Sequence, residues 1–350
     1  GAGVTVAVID SGLLQDGGSS RIKTTRDFTG GSSNPANSAP VDGYGHGTHV
    51  AGIAAGNADT QTGGGPALSG VAPRAYIGNY KALVRTDFGL SPNGNSPELV
   101  AAIEAAVRDG MDVLNLSIGE PEIEPRRDVV ALALDAAAAA GVVPVVAAGN
   151  DFNDLGAGSV SSPANSERAI TVAAVDIAGS RRVHADFSSV GPTTLSLRMK
   201  PDVAAPGVDV TSSVPQGWAG SSGTSMASPH IAGAAALLVQ RHPAWTVAQV
   251  KSALVQTGVD SLNLNGERAA PTGQGGGVAA LTAADRPLLF ATPSGVSLGL
   301  LARGKTLERT IRLDDASGGA GQWQVSVLRL TPKTARANLN VPATVAVPGT

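Results

Sequence analysis

Four apolar runs of strand length constrain the fold of this chain more than any other feature. They lie at residues 4–9, 112–118, 142–148 and 170–175. Near-continuous apolar strands are typical of a parallel sheet that is covered on both faces, because each strand is then buried on two sides. We therefore expect these runs to lie side by side in one central sheet.

Helix signals occupy the intervals between these runs. Pro97 and Gly110 bracket one predicted helix, and a second is predicted over 126–140. Thr246 and Gln249 form a capping box that starts a third. Strands that alternate with helices predict an α/β fold with a doubly wound, mostly parallel sheet, whose ligands bind at the carboxyl ends of the strands.

The hydrophobic pattern changes near Asp285. After this point apolar residues alternate with polar ones in short segments that Gly- and Asp-rich turns separate, as at 307–313 and 323–327. Such alternation predicts a small antiparallel β-sandwich, which roughly 60 residues would leave incomplete. We expect two domains, over 1–286 and 287–350.

Composition excludes several classes of protein. The net charge is −3 and there is no long basic run, so binding to nucleic acid or to an anionic membrane is not indicated. No stretch reaches 18 uninterrupted apolar residues, so no membrane span is expected. The absence of Cys excludes disulfides, a thiol nucleophile and a thiolate metal site.

A serine that precedes a helix is the first candidate for chemistry. Residues 223–230, Gly-Thr-Ser-Met-Ala-Ser-Pro-His, lead into an Ala-rich helix and place Ser225 at its start. Backbone N–H groups are unpaired there, so they can hold an oxyanion while the hydroxyl attacks a carbonyl. The alternative is an ordinary N-cap serine.

Three further residues have the chemistry that a serine nucleophile needs: a base, an acid that orients it, and an oxyanion donor. His46 lies in a stretch of small residues, Asp10 ends a buried strand, and Asn150 follows another. Alternatively, Asp10 and Asn150 are turn residues. His46 and His49 could also be a metal pair, although no third ligand is apparent.

Three motifs in this order resemble those of the subtilisin-like serine proteases. They are Val8–Gly12, His46–Gly52 and Gly223–His230, which carry Asp, His and Ser in turn. An α/β-hydrolase would have the order Ser, Asp, His. The resemblance covers about 1–286, and the tail resembles a fibronectin-III-like module.

The resemblance implies a role for each motif residue. Asp10 would orient His46, His46 would be the general base, and Ser225 would be the nucleophile. Asn150 would form the oxyanion hole together with the backbone N–H of Ser225.

The resemblance also implies residues that bind substrate. The segment Ser117, Ile118 and Gly119 would pair with an extended peptide on one side, and the loop at 92–95 would pair on the other. The primary specificity pocket would be lined by small residues, which suggests an apolar substrate side chain. These residues are Ala147, Ala148, Gly149 and Ser161.

The implied activity is that of a secreted, extracellular serine endopeptidase that acts on proteins or peptides. Such an enzyme is made as a zymogen with an N-terminal propeptide and requires no cofactor. Calcium is possible, but the Gly-rich insert at 57–70 replaces the usual calcium loop and holds one carboxylate, Asp59, which is too few for a strong site. Asp42 and Asp202 are candidates for weaker sites.

Two other functions are compatible with parts of this pattern. One is a catalytically silent module with the subtilase fold that is used for binding or adhesion. The other is an esterase on another fold, which the order of the motifs opposes.

Overall fold

The computed structural model describes residues 1–14, 21–30, 41–85, 92–179, 181–328 and 338–348. In chain order the strands are β1 (Thr5–Asp10), β2 (Ile22–Asp27), β3 (Tyr76–Lys81), β4 (Val84–Arg85), β5 (Pro92–Asn93), β6 (Val113–Leu116), β7 (Val143–Ala147), β8 (Ile170–Asp176), β9 (Val183–His184), β10 (Val203–Pro206), β11 (Val210–Val214), β12 (Gly217–Ser221), β13 (Leu289–Thr292), β14 (Arg312–Asp315), β15 (Gly321–Gln324) and β16 (Thr344–Val347). The helices are α1 (His46–Ala55), α2 (Ser96–Arg108), α3 (Val129–Ala139), α4 (Phe152–Leu155), α5 (Thr224–Arg241), α6 (Val247–Gln256), α7 (Pro271–Gln274) and α8 (Leu281–Ala284).

The central sheet has the strand order β10-β8-β7-β6-β1-β3-β2, and neighbours along this path are parallel. The short β9 pairs antiparallel with β8. The four apolar runs form β1, β6, β7 and β8, so the predicted doubly wound α/β fold is confirmed. The carboxyl ends of β7, β6 and β1 are adjacent at one edge of the sheet.

The sheet is buried on both faces, as its continuous apolar strands predict. Val6 and Val8 of β1 face one hydrophobic cluster, which also contains residues of α1, α5 and α6. Ala7 and Ile9 alternate with them and face a second cluster, which contains residues of α2 and α3. Burial of alternate residues on opposite faces fixes the direction in which the strand presents Asp10 at its end.

The helix boundaries follow their capping residues. The capping box of Thr246 and Gln249 is present at the start of α6. The helix predicted over 126–140 starts at Val129, because the carboxylate of Asp128 accepts hydrogen bonds from two backbone N–H groups of the first turn. No helix within the described ranges is long and apolar enough to cross a membrane.

The described part of the tail forms small antiparallel sheets. β13 pairs with β14 and β15 pairs with β16, each as a separate two-stranded sheet. β13 also packs on the rest of the chain, because Phe290 is only 2% exposed and its ring contacts Trp245 edge-on at 5.0 Å. The tail therefore contains the predicted antiparallel strands, while its likeness to a fibronectin-III module stays a prediction.

Candidate active site

Asp10 and His46 form a hydrogen-bonded pair at the end of β1. Asp10 is 1% exposed, and its Oδ1 accepts from His46 Nδ1 at 2.8 Å and from the backbone N–H of Ser11 at 2.7 Å. The side chain of His46 is 18% exposed. A buried carboxylate thus fixes one ring nitrogen, which leaves Nε2 as the nitrogen able to take up a proton.

Neighbouring segments hold the start of α1, and with it His46. The carboxylate of Asp42 is buried and accepts five hydrogen bonds, from Ser11 Oγ, the N–H groups of Tyr44, Gly45 and Thr48, and Thr48 Oγ1. These bonds satisfy N–H groups that a helix start leaves without partners.

Gly47 lets α1 approach the end of β1 closely. A Cβ at this position would lie 2.2 Å from the carbonyl oxygen of Gly12 and 3.2 Å from Asp10 Cβ. Any side chain here would push the helix start away from the strand. The glycine after His46 is therefore a condition for the contact between His46 and Asp10.

The charges around His46 favour its protonated form. Burial is the largest influence and lowers the pKa of His46, because it disfavours the charged ring. The charge and hydrogen bond of Asp10, with a further contribution from the charge of Asp42, outweigh burial and raise the pKa above its ordinary value of 6.5. The surroundings of His46 therefore stabilise the imidazolium cation that forms when the ring accepts a proton.

Ser225 lies in the first turn of α5. Its Oγ donates to the carbonyl oxygen of Ser117 at 3.2 Å, while Ser117 Oγ donates to the carbonyl oxygen of Ser225 at 2.9 Å. Asn115 in β6 donates to Ser117 Oγ and accepts from Ser228 Oγ. This chain of buried hydrogen bonds ties the start of α5 to the end of β6 and thereby positions Ser225.

His46 and Ser225 line the same cavity, which has a volume of about 540 Å³. The hydrogen bonds of the described residues join His46 to Asp10 and Ser225 to Ser117, and none of them joins His46 directly to Ser225. Hydrogen bonds between a nucleophile and its base are often long in a free enzyme and tighten when substrate binds. The structure thus brings the three residues to one place without closing the last contact.

Thr224 holds the amide of Asn150. Asn150 Oδ1 accepts from the Thr224 backbone N–H at 2.9 Å and from Thr224 Oγ1 at 3.0 Å. Two donors on the oxygen fix the orientation of the amide, so its Nδ2 is the group left to donate elsewhere. Asn150 also lines the cavity that contains Ser225.

The structure places most of the predicted substrate-binding residues on the same cavity. Ser117, Ile118, Gly119, Ala147 and Gly149 line it. Within the described residues, the loop at 92–95 contributes Gly94.

Two predicted pocket residues lie behind these walls instead. Ala148 is fully buried, and Ser161 donates to its carbonyl oxygen at 3.2 Å. A Cβ on Gly119 would come within 2.6 Å of Ser161 Oγ, so Ser161 limits the size of residue 119.

The other histidines have local partners. His49 Nε2 contacts the carbonyl oxygen of Ala219 at 3.0 Å, and His230 Nδ1 contacts that of Met226 at 2.8 Å. His184 is buried, and its ring contacts Phe152 edge-on. Across the described ranges, no group of three or more His, Asp or Glu side chains is placed to hold a metal ion.

The candidate calcium ligands do not fit that ion. The loop at 57–70 closes on itself through two backbone hydrogen bonds between Thr60 and Leu68, and Asp59 is its one carboxylate. Both oxygens of Asp42 are taken up by the five hydrogen bonds described above. The oxygens of Asp202 likewise contact the Thr171 N–H, Lys200 and Lys251, so both carboxylates already have donors or cations of the protein as partners.

Asp202 is instead the centre of a buried ion triad. Its Oδ2 contacts Lys200 Nζ at 2.7 Å and its Oδ1 contacts Lys251 Nζ at 2.9 Å. Burial lowers the pKa of Lys200 to about 7, although the charge of Asp202 opposes this shift. These residues border a second, larger cavity of about 750 Å³, which none of Asp10, His46 and Ser225 lines.

Sequence reasoning missed the residues that support the site. From sequence, Thr224 is only part of the serine motif, Asp42 is only a calcium candidate, and Asn115 has no predicted functional role. One signal was available, because a polar residue in a fully apolar strand, such as Asn115, needs a hydrogen-bond partner nearby. No comparable signal marks Asp42, whose partners depend on the path of its loop.

Comparison with known proteins agrees with this geometry. The model of the subtilase family (peptidase S8) matches residues 1–277. Subtilisin Savinase from Lederbergia lenta is 38% identical over 273 residues, which cover 76% of this chain and 88% of that protein. Subtilisin NAT from Bacillus subtilis subsp. natto is also 38% identical, over 73% of this chain, but the match spans only 61% of that relative.

Solved structures show the same likeness. The S41 psychrophilic protease superposes with a TM-score of 0.65 at 32% identity, over 79% of this chain and 91% of that one. A cold-adapted subtilisin-like serine proteinase gives a TM-score of 0.58 at 27% identity, over 79% and 87%. With the family model matching more than three quarters of its length, the chain belongs to the subtilase family.

Proposed function

We propose that this chain is a serine endopeptidase that cleaves peptide bonds through an acyl-enzyme. One observation carries the proposal. The buried carboxylate of Asp10 accepts a hydrogen bond from His46 Nδ1, and His46 shares a cavity with Ser225 at the start of α5. That is the arrangement of acid, base and nucleophile on which serine hydrolysis depends.

Each residue has one task in the proposed reaction. Ser225 Oγ attacks the carbonyl carbon of the peptide bond while its proton moves to His46 Nε2. The imidazolium then gives this proton to the leaving amine, and Ser225 is left acylated. Water, activated by the same base, releases the acid product. Asp10 stabilises the imidazolium in both halves of the reaction, which accords with the raised pKa of His46.

Asn150 Nδ2 and the backbone N–H of Ser225 are proposed to bind the oxyanion. The amide of Asn150 is already oriented by Thr224 before any substrate arrives. A donor that needs no reorientation stabilises the developing charge more than the neutral carbonyl. The N-terminus of α5 adds favourable potential at the same point.

The peptide is proposed to bind as an added strand. The segment Ser117–Gly119 follows β6 and lines the cavity, and the two-stranded ladder of β4 and β5 leads into Gly94, which lines the same cavity. Backbone pairing on both sides holds many sequences in one register and leaves discrimination to side-chain pockets.

The remaining features of the proposed enzyme rest on its family. We propose a catalytic domain over 1–286 followed by a fibronectin-III-like segment over 287–350, synthesis with an N-terminal propeptide, and secretion. Catalysis is proposed to need no cofactor, which accords with a mechanism whose groups all belong to the chain.

An active-site probe tests this function directly. A fluorophosphonate should label wild type at Ser225, and Ser225→Ala should abolish labelling. His46→Ala should slow labelling by several orders of magnitude, because the hydroxyl then lacks its base. Ser222→Ala is the matched control, since Ser222 lines the same cavity without a proposed role. A folded wild-type sample that does not label would instead support a catalytically silent binding module.

A further inference from the structure

The cavity of about 750 Å³ lies where residues 291–297 of the tail pack on the rest of the chain. These residues line it together with the first turn of α6. Two hydrogen bonds to α6 hold the tail wall in place. The N–H of Ala291 donates to Ser252 Oγ at 2.8 Å, and Gln256 Nε2 donates to the carbonyl oxygen of Ser294 at 3.0 Å. The cavity is therefore a built feature of the contact between the tail and the body of the chain.

Positive charge is in excess on the described lining of this cavity. Five of its side chains are cationic and two are carboxylates: Arg168, Arg198, Lys200, Lys251 and Arg309, with Glu167 and Asp202. Glu167 pairs with Arg198 at 3.6 Å, and Asp202 pairs with both lysines. Arg168 and Arg309 have no carboxylate partner in the described part of the chain. The lining thus favours an anion.

Lys200, the buried member of this group, has more hydrogen-bond donors than acceptors. It is 2% exposed, and its Nζ donates to Asp202 Oδ2 at 2.7 Å and to the carbonyl oxygen of Ala169 at 2.9 Å. An ammonium has three N–H donors, so one of them has no acceptor among the described residues. Lys251 differs, because its Nζ has three acceptors, two carbonyl oxygens and Asp202 Oδ1. A buried donor without a protein acceptor indicates a ligand or a water at that point.

The triad of Lys200, Asp202 and Lys251 also has too little negative charge. Two ammonium groups share one carboxylate, so the fully ionised triad is a net cation, and a buried net charge is unfavourable without a counter-ion. Burial lowers the pKa of Lys200 to about 7; the charge of Asp202 opposes this shift and that of Lys251 adds to it. An anion in the adjoining cavity would supply the missing charge and let Lys200 keep its proton.

The first turn of α6 adds backbone donors to the same lining. Thr246 Oγ1 accepts from the N–H of Gln249, whereas the N–H groups of Val247 and Ala248 have no acceptor among the described residues. Thr246, Val247 and Ala248 all line the cavity. Unpaired N–H groups and the helix dipole favour an anion at a helix start. This contribution adds to that of the buried ammonium and the unpaired arginines.

We propose that this cavity binds a doubly charged oxyanion such as sulfate or phosphate. The anion accepts the remaining donor of Lys200 and the N–H groups at the start of α6, and Arg168 and Arg309 complete the neutralisation of its charge. Arg168 belongs to the body of the chain and Arg309 to the tail, so the bound anion joins the two. None of Asp10, His46 and Ser225 lines this cavity, so the site is independent of the proposed protease function.

Calorimetry with sulfate tests the site in full-length Ser225→Ala, in which self-digestion does not interfere. Sulfate should bind saturably at one site per chain, and added sodium chloride should weaken its binding because ions screen the attraction. Arg168→Gln and Arg309→Gln should each raise the Kd about threefold, and the double variant about tenfold. Both arginines are exposed, so these substitutions should leave the fold intact.

The pH dependence of binding tests the part of Lys200. An anion favours the ammonium form and raises the pKa of Lys200, so sulfate should bind about tenfold more tightly at pH 6 than at pH 9. Binding at pH 8 should take up protons, which calorimetry detects as a heat that depends on the ionisation enthalpy of the buffer. Sulfate itself does not titrate in this range. Lys200→Met should lose both effects, although Asp202 and Lys251 remain in place.

Controls separate this site from the general action of sulfate, which stabilises folded proteins by exclusion from their surface. Arg127→Gln combined with Arg303→Gln removes two exposed arginines that do not line the cavity, and sulfate affinity should not change. Should Lys200→Met fail to fold, the arginine double variant and the pH dependence in the Ser225→Ala background decide. An absence of saturable binding in the millimolar range would overturn the proposal, as would equal affinities in the cavity and control double variants.

Discussion

Replacement of Asn150 separates its catalytic part from its structural part. Asn150→Ala removes the proposed oxyanion donor and also the acceptor for two hydrogen bonds from Thr224. Asn150→Asp keeps an oxygen that can accept both bonds, but it replaces Nδ2 with a second oxygen and adds a negative charge. The two variants should therefore differ in stability, and both should lose turnover, the aspartate variant at least as much as the alanine variant because its charge repels the oxyanion.

The structure gives the size of the structural part. Each of the two hydrogen bonds contributes about 0.5–1.5 kcal/mol, so Asn150→Ala should lose about 1–3 kcal/mol of unfolding free energy. Asn150→Asp should lose less, since it keeps both. The size of the catalytic part is carried over from subtilisin itself, where loss of this donor lowers kcat about 10²–10³-fold, or roughly 3–4 kcal/mol.

Two assays measure these parts independently. Unfolding by denaturant is followed in the Ser225→Ala background, so that self-digestion does not distort the curve. Steady-state kinetics on a short chromogenic peptide give kcat and KM, and kcat should fall with little change in KM because the bond forms fully only in the transition state. Thr224→Val is the graded control, since it keeps the backbone donor to Asn150 and loses the hydroxyl, which donates to Asn150 and accepts from the N–H of Gly149.

The result that would refute the assignment is specific. If kcat of Asn150→Asp stays within about threefold of wild type, the amide nitrogen is not the oxyanion donor. A defect confined to KM would also exclude it, because it would place Asn150 in ground-state binding. A loss of kcat that matches only the loss of folded protein would make Asn150 a structural residue.

Three further predictions follow from the contacts described above. Because the pKa of His46 is raised above 6.5, kcat/KM should fall as the pH drops through a single ionisation above that value. Asp42→Asn should move the midpoint of this pH–rate profile to lower pH, because it removes a negative charge that favours the protonated ring. A flat profile from pH 5 to 9 would exclude His46 as the base. Asp202→Asn should cost about 3–5 kcal/mol of unfolding free energy at pH 6, where Lys200 is protonated and needs a counter-ion. The loss should be smaller at pH 9, because Lys200, with a pKa of about 7, is then neutral. Equal losses at both pH values would contradict this prediction. A chain that ends at Asp285 should still hydrolyse peptides but melt at a lower temperature, because β13 is lost from its packing on α6; an inactive truncated protein that keeps its circular dichroism spectrum would count against it.

The sheet and the convergence of the site were predictable because they follow from local pattern. β1, β6 and β7 are apolar runs whose parallel pairing puts their carboxyl ends at one edge. Asp10, Ser117 and Asn150 come within a few residues of those ends, so strand direction alone brings them together. A pattern of this kind needs no knowledge of loop conformation.

The supporting hydrogen bonds were not predictable for the opposite reason. Asp42 lies in the short segment 41–45 before α1, which is neither helix nor strand, and its five hydrogen bonds depend on how this segment is placed against Ser11 and Thr48. The tail shows a related limit. Alternation indicated short strands, but alternation does not specify which strands pair, and the described pairs form two separate sheets.

The same distinction between local pattern and packing applies to the small residues around the proposed specificity pocket. Gly119 must lack a side chain because a Cβ there would lie 2.6 Å from Ser161 Oγ, so its identity records close packing of the pocket walls. Asn150 is likewise fixed by its bonds to Thr224. The residues that follow, Glu120 and Asp151, line the same cavity. A small residue in such a segment therefore records how the walls of the cavity pack, and it does not by itself specify which substrate side chain the cavity accepts.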